Sequence, residues 1–198
     1  GATRVFDIGA NIGSFTVIPA TNGAEVIAVE PDPIAAAQLQ ANMTQNDIHK
    51  YVSHHPGVVT DITNGIATLH IADGPNQGTH ALTQTAHHGA KSISVPTTTV
   101  DALSSQYGHP DVIKIDVEGA EANVLDGATE TLDRGVNLFV EVHDYESKAM
   151  SNDPDNIINQ LADLGKLSIV QPDRGRSVVH GPETVDAPAT LILTTEDE

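Results

Sequence analysis

The sequence predicts one open, mostly parallel α/β sheet in a single domain spanning residues 1–198. Three observations carry that prediction. Short apolar runs of strand length recur along the chain, residues 4–45 alternate strand, helix, strand, helix, and no internal repeat or second-domain boundary is visible. Arg4–Ile8 is an apolar run closed by Gly9 and reads as a buried strand; a short helix over Ser14–Ala20 follows and Asn22-Gly23 ends it. Glu25–Glu30 is the second strand. Pro31-Asp32-Pro33 breaks it, Pro33 suits a first helical turn, and Ile34–Gln45, rich in Ala, Leu and Gln, continues as a helix. Tyr51–His55 is a third strand, and Ile66–Ile71 alternates as an exposed strand does. Residues 73–90, rich in Gly, His, Thr and Asn, read as a long loop of the kind that carries function. Ser92–Pro96 is a short extended piece, and Thr99 caps a helix that runs to Tyr107. Asp111–Asp116 is a buried strand, Ala120–Leu132 one helix, and Val136–Val142 a strand ending at His143-Asp144. Asp153-Pro154 opens a helix through Leu164 that Gly165 stops. Leu167–Gln171 and Thr190–Thr194 are late strands, with 172–188 a loop or hairpin tip.

Composition narrows the function classes. Nine basic residues stand against 27 acidic ones, a net charge of −18. Such a surface repels nucleic-acid phosphates and anionic lipid. The absence of cysteine excludes a disulfide scaffold, a thiolate zinc site and a cysteine nucleophile. No run approaches the length of a membrane span and no secretion signal is visible, so the expectation is a soluble cytoplasmic protein. The acidity has a local reading, a site that recruits cations, and a global one, a surface adapted to high salt. The acids are spread from Asp7 to Glu198 and lysine is scarce, which favours the halophilic surface.

The sharpest motif is Asp7-Ile8-Gly9-Ala10-Asn11-Ile12-Gly13. A strand ends, Gly9 permits a tight turn, Gly13 lets the next helix come close, and backbone N–H groups at the helix start can face a ligand. A pyrophosphate site would place glycines as G-x-G-x-x-G, but the middle position here is Asn11. An acid at Asp7 pointing into the crevice would repel a pyrophosphate and attract an ammonium or sulfonium. That favours S-adenosyl-L-methionine over a dinucleotide. Glu30, 23 residues after Asp7 at the end of the second strand, is placed to accept both ribose hydroxyls. The cofactor set is thus Asp7, Gly9, Ala10, Asn11, Gly13, Glu30, Pro31 and Asp116. An NAD-dependent oxidoreductase on a similar sheet and a cofactor-binding relic without turnover are the alternatives.

Phe6–Ser14 resembles the first motif of the FkbM family of S-adenosylmethionine-dependent methyltransferases, and Val29-Glu30-Pro31-Asp32-Pro33 is similar to its second-strand motif. Val95–Asp101 is similar to the family's V-x-x-x-T-[LV]-D stretch. Ile113-Lys114-Ile115-Asp116-Val117-Glu118-Gly119-Ala120-Glu121 resembles its signature, and Glu141-Val142-His143 its E-x-H strand end. The resemblance runs from about residue 4 to residue 165. It implies the Rossmann-like class I methyltransferase fold: a seven-stranded, mostly parallel sheet with helices on both faces and an antiparallel last strand. It also implies O-methylation of a hydroxyl on a sugar or small metabolite, so the expected partner is a small-molecule or glycan acceptor.

Lys114 and Asp116 are two apart on one strand and face the same side. Glu141 and His143 are two apart on the next. Asp116 or His143 could take the proton of a hydroxyl acceptor; His143 needs no pKa shift near neutral pH and is the favoured base, with Asp116 orienting the acceptor or the cofactor's ammonium. Glu118 is the third catalytic candidate, unless it is simply a helix N-terminal charge. Lys114 could instead be an ion-pair partner of Glu141 across neighbouring strands. Asp116, Glu118 and His143 are compatible with a metal, but no spaced ligand motif requires one. His54-His55 does not chelate well, since adjacent strand residues face opposite sides, and His87-His88, in the 73–90 loop, reads as solvated.

Overall fold

The computed structural model describes residues 3–71, 80–81, 91–142, 154–171, 175–178 and 189–194. Its elements in chain order are β1 (Arg4–Ile8), α1 (Ser14–Thr21), β2 (Glu25–Val29), α2 (Pro33–Gln45), β3 (Val52–His55), β4 (Val58–Val59), β5 (Ile66–Ile71) and β6 (His80–Ala81). They continue as β7 (Lys91–Thr98), α3 (Val100–Tyr107), β8 (Val112–Ile115), α4 (Glu121–Asp126), α5 (Thr129–Asp133), β9 (Asn137–Val142), α6 (Pro154–Leu164), β10 (Lys166–Gln171), β11 (Gly175–Val178) and β12 (Ala189–Thr194).

The central sheet has the order β11-β10-β12-β9-β8-β1-β2-β3. The five strands from β9 to β3 are parallel, and β12 runs antiparallel between β9 and β10. Among the described residues the sheet has eight strands where seven were expected, because β11 adds a hairpin edge to β10 inside the stretch read as a loop or hairpin tip. The antiparallel last strand is present as expected. Alternation along each strand divides the core in two. Val5, Val26, Ala28 and Val52 pack with Ala20 of α1 and Leu39 and Met43 of α2. Phe6, Ile8, Ile27, Val29, Ile113, Ile115, Leu138 and Val140 pack with α3 to α6 on the other face. Helices therefore cover both faces, which is why β1 and β8 are mostly apolar, broken at their inner positions by Asp7 and Lys114.

Two features depart from the sequence reading. Ala120–Leu132 is not one helix. It breaks into α4 and α5 at Gly127-Ala128, where the chain passes so close to the β4–β5 connection that a Cβ on Gly127 would lie 2.2 Å from the Thr60 carbonyl oxygen. Asp101 then secures the new helix start, accepting from Thr131 N at 2.8 Å, Thr131 Oγ1 at 2.7 Å and Glu130 N at 3.1 Å. The second departure is a separate four-stranded sheet, β4-β7-β5-β6, between β3 and α3, with a small core of Val58, Leu69 and Val95. The short piece over Ser92–Pro96 is the middle of its longest strand, β7.

Strand order reverses at β1, with β2 on one side and β8 on the other. Chain connections leave in opposite directions there, so a crevice opens beyond the carboxyl ends of β1 and β8.

Candidate functional site

The crevice is a cleft of about 610 Å³ lined by Gly9, Asn11, Glu30, Pro31, Asp116 and Glu118, with Ile8, Val29, Val58, Val59, Leu69, Val117 and Ala120 as its apolar surface. Its floor is the β1–α1 loop. Gly9 has φ +78°, and a Cβ there would lie 1.8 Å from the Asp116 carbonyl oxygen, so the close approach of two backbones requires glycine. Gly13 begins α1 at φ +91°, where a Cβ would meet Leu39 Cδ1 at 2.5 Å. Gly13 thus sets the packing of α1 on α2, and Ala10 is buried in the core below the cleft.

The loop's backbone donors do not face a ligand as expected. Gly9 N and Ala10 N both donate to Val29 O, at 3.0 and 2.9 Å, and Gly13 N to Ala10 O at 2.8 Å. Asn11 N donates to Glu30 Oε2 at 2.8 Å and Ile12 N to Asn11 Oδ1 at 2.7 Å. Five successive N–H groups are spent on the protein itself. An anion cradle needs such groups free.

Asp7 is also placed differently from the expectation. It is fully buried beneath the floor, not in the cleft. Its Oδ2 accepts from Thr16 Oγ1 at 2.6 Å and its Oδ1 lies 3.5 Å from Lys114 Nζ. Burial raises its pKa, and Lys114 and Thr16 oppose that shift. Lys114 turns toward β1, not toward Glu141. In the parallel register Asp7 stands opposite Lys114, and Nζ also reaches Asp116 Oδ2 at 3.2 Å and Gly9 O at 2.7 Å.

Glu30 is buried at the end of β2, its Oε1 accepting from Asp32 N at 2.7 Å and its Oε2 from Asn11 N. Burial pushes its pKa up to about 7, although both backbone donors favour the ionised form. A carboxylate has about four acceptor positions, so two backbone bonds leave room for ligand hydroxyls. Asp32, which the sequence reading left without a role, caps α2 by accepting from Ile34 N and Ala35 N.

Asp116 and Glu118 both line the cleft. Glu118 has φ +55°, an uncommon backbone state for a side chain other than Gly or Asn. Glu121, fully buried in the first turn of α4, accepts from Gly119 N at 3.0 Å. His143, the favoured base, lies outside the described residues, as do His87 and His88. Among the described residues no group of three acidic or imidazole side chains is arranged to hold a metal ion. The second sheet supplies wall residues Val58, Val59 and Leu69. Those the sequence reading missed, because they join the site through long-range pairing alone.

The profile of the Methyltransferase FkbM domain matches residues 7–168, which include the whole cleft lining. The chain belongs to the FkbM methyltransferase domain family. Among its relatives, the hexuronic acid methyltransferase AglP of Haloferax volcanii is 31% identical over 147 residues, covering 70% of this chain and 55% of that protein. The 2-O-methyltransferase NoeI of Sinorhizobium fredii is 29% identical over 159 residues, covering 72% of this chain and 64% of that protein. The matched stretches therefore span somewhat more than half the length of these relatives. A crystal structure of an FkbM methyltransferase from Methylobacillus flagellatus superposes with a TM-score of 0.60 at 18% identity, over 97% of this chain and 43% of that one. At that identity the likeness establishes the fold. The resemblance carried by the motifs around Asp7, Glu30 and Lys114 is thus a family membership.

Proposed function

We propose that this FkbM domain is an S-adenosyl-L-methionine-dependent O-methyltransferase acting on a sugar hydroxyl. One observation carries the cofactor side. The loop that would cradle a pyrophosphate has spent its N–H donors internally, while the charged groups lining the cleft are the carboxylates Glu30, Asp116 and Glu118. That polarity suits a cationic nucleoside and opposes a dinucleotide. The residues fit the group: Glu30 for the ribose hydroxyls, Asp116 and the Gly9 peptide for the ammonium, and Val29, Val58, Leu69 and Ala120 as apolar surface for the base. When bound, S-adenosyl-L-methionine supplies a methyl group already activated by its sulfonium. The protein's remaining work is to position the acceptor and remove its proton.

His143, one residue beyond the end of β9, is the proposed base, Asp116 orients acceptor or ammonium at the cleft floor, and Glu118 at the mouth contacts the acceptor. The sugar hydroxyl follows from what AglP and NoeI are named for, a hexuronic acid methyltransferase and a 2-O-methyltransferase. Calorimetry with S-adenosylhomocysteine and with NAD tests the cofactor: binding of NAD without S-adenosylhomocysteine would sink the reading. Transfer of a labelled methyl group to hexuronate-bearing or neutral glycans tests the acceptor. His143→Ala is expected to lower turnover with little change in S-adenosylhomocysteine affinity.

A further inference from the structure

Lys114 is buried, yet its ammonium has three oxygen neighbours on three segments: Gly9 O at 2.7 Å, Asp116 Oδ2 at 3.2 Å and Asp7 Oδ1 at 3.5 Å. Gly9 and Asp116 line the cleft, whereas Asp7 lies beneath it. One cation thus connects the buried core to both polar groups of the cleft floor. Asp7 answers its charge from the buried core, at 3.5 Å. The shortest of its contacts is instead to a carbonyl that borders the cleft.

We propose that Lys114 is a positioning residue of the methyl-transfer site, its ammonium fixing the orientation of the Gly9 carbonyl and the Asp116 carboxylate toward the cofactor's ammonium. This inference rests on the reading of the cleft as an S-adenosyl-L-methionine site. A carbonyl and a carboxylate each carry more acceptor positions than the one Lys114 uses, so both can be held from below and still accept from above. The three flexible donors of an ammonium suit this divided task. Without Lys114 the Gly9 carbonyl and the Asp116 carboxylate lose a shared cationic partner, although Ala10 N still ties the Gly9 peptide to Val29 O, and the looser orientation of the two acceptors weakens binding.

Lys114→Met alone leaves Asp7 buried without its cation and is expected to destabilise the fold. The paired variant Asp7→Asn with Lys114→Met removes one charge of each sign and keeps the side-chain volumes close to the original. Its thermal midpoint is expected to stay near that of the unsubstituted protein. Calorimetry with S-adenosylhomocysteine on that pair is expected to show affinity about tenfold weaker than the unsubstituted protein, the loss of charge-assisted contacts at an unchanged fold. Affinity equal to the unsubstituted protein at equal midpoint would overturn the positioning role and leave the cofactor assignment intact. Failure of the unsubstituted protein to bind S-adenosylhomocysteine at all would overturn both.

Discussion

Glu30 shows how a single side chain couples burial to ligand binding. Two backbone donors favour its carboxylate, but burial outweighs them and raises the pKa from 4.5 to about 7. The sign follows directly. Glu30 is protonated in the folded protein over a range where it is ionised in the unfolded chain. Its contribution to stability is therefore complete below pH 4.5 and is lost as the pH rises through about 7. A ribose bound through its hydroxyls prefers the ionised acceptor. Affinity for S-adenosylhomocysteine is expected to rise between pH 6 and 7 and to level off above, with proton release on binding visible in buffers of different ionisation enthalpy. Glu30→Gln should flatten that rise and weaken binding about tenfold or more, as expected for losing charged hydrogen bonds. A pH rise that survives in Glu30→Gln would assign it to another group. Glu30 was legible in the sequence because its distance from Asp7 along a strand–helix–strand unit is fixed by the fold. The partner of Lys114 was not. The two-residue rule places Lys114 and Asp116 on one face, but strand register decides whether Asp7 or Glu141 is opposite, and register is a property of pairing.

Elements were read well where their signals are local. Thr99 does cap α3, accepting from Ala102 N at 3.0 Å, and Pro33 opens α2. The unread pieces depend on distant partners. β4 is two residues long and exists by pairing with Thr97 and Thr98, and it is this pairing that brings the second sheet to the cleft. The division of α4 from α5 likewise comes from Thr60, far away in sequence. Asp101 stabilises that division from α3, accepting from two backbone N–H groups and two hydroxyls of α5. Asp101→Ala is expected to cost about 1–2 kcal/mol, the scale of a lost helix cap. Asp101→Asn should recover part of it, since its carbonyl oxygen still accepts. The measurement is the urea midpoint at unchanged slope. An alanine variant as stable as the original would show that α5 holds its start through packing alone.

At the scale of the whole molecule the net charge of −18 separates into two populations. Asp7, Glu30, Asp32 and Glu121 are buried, and each is hydrogen-bonded to backbone or side-chain donors around the crevice. Glu25, Asp47, Asp61, Asp111, Asp126, Glu130, Asp133, Asp155 and Asp163 are exposed and distributed over many elements. With 27 acidic residues against nine basic ones, the exposed carboxylates repel one another on balance. That repulsion acts on the folded state more than on the expanded chain. Salt screens it, since the Debye length falls from about 10 Å at 0.1 M to about 3 Å at 1 M. The thermal midpoint is therefore expected to rise by about 5 °C or more between low and molar potassium chloride, a shift of roughly 1–2 kcal/mol for a chain of this size. Salt also strengthens apolar burial, so the rise needs a charge-specific control. Asp126, Glu130 and Asp133 supply one, three exposed acids within eight residues of α4 and α5. Replacing them together by Asn, Gln and Asn removes repulsion without touching the core or the cleft. The variant should be more stable than the original at low salt, and the two should converge at molar salt. Parallel salt curves for the two proteins would assign the effect to apolar burial, and a flat curve for the original would remove the salt-adapted reading of its surface.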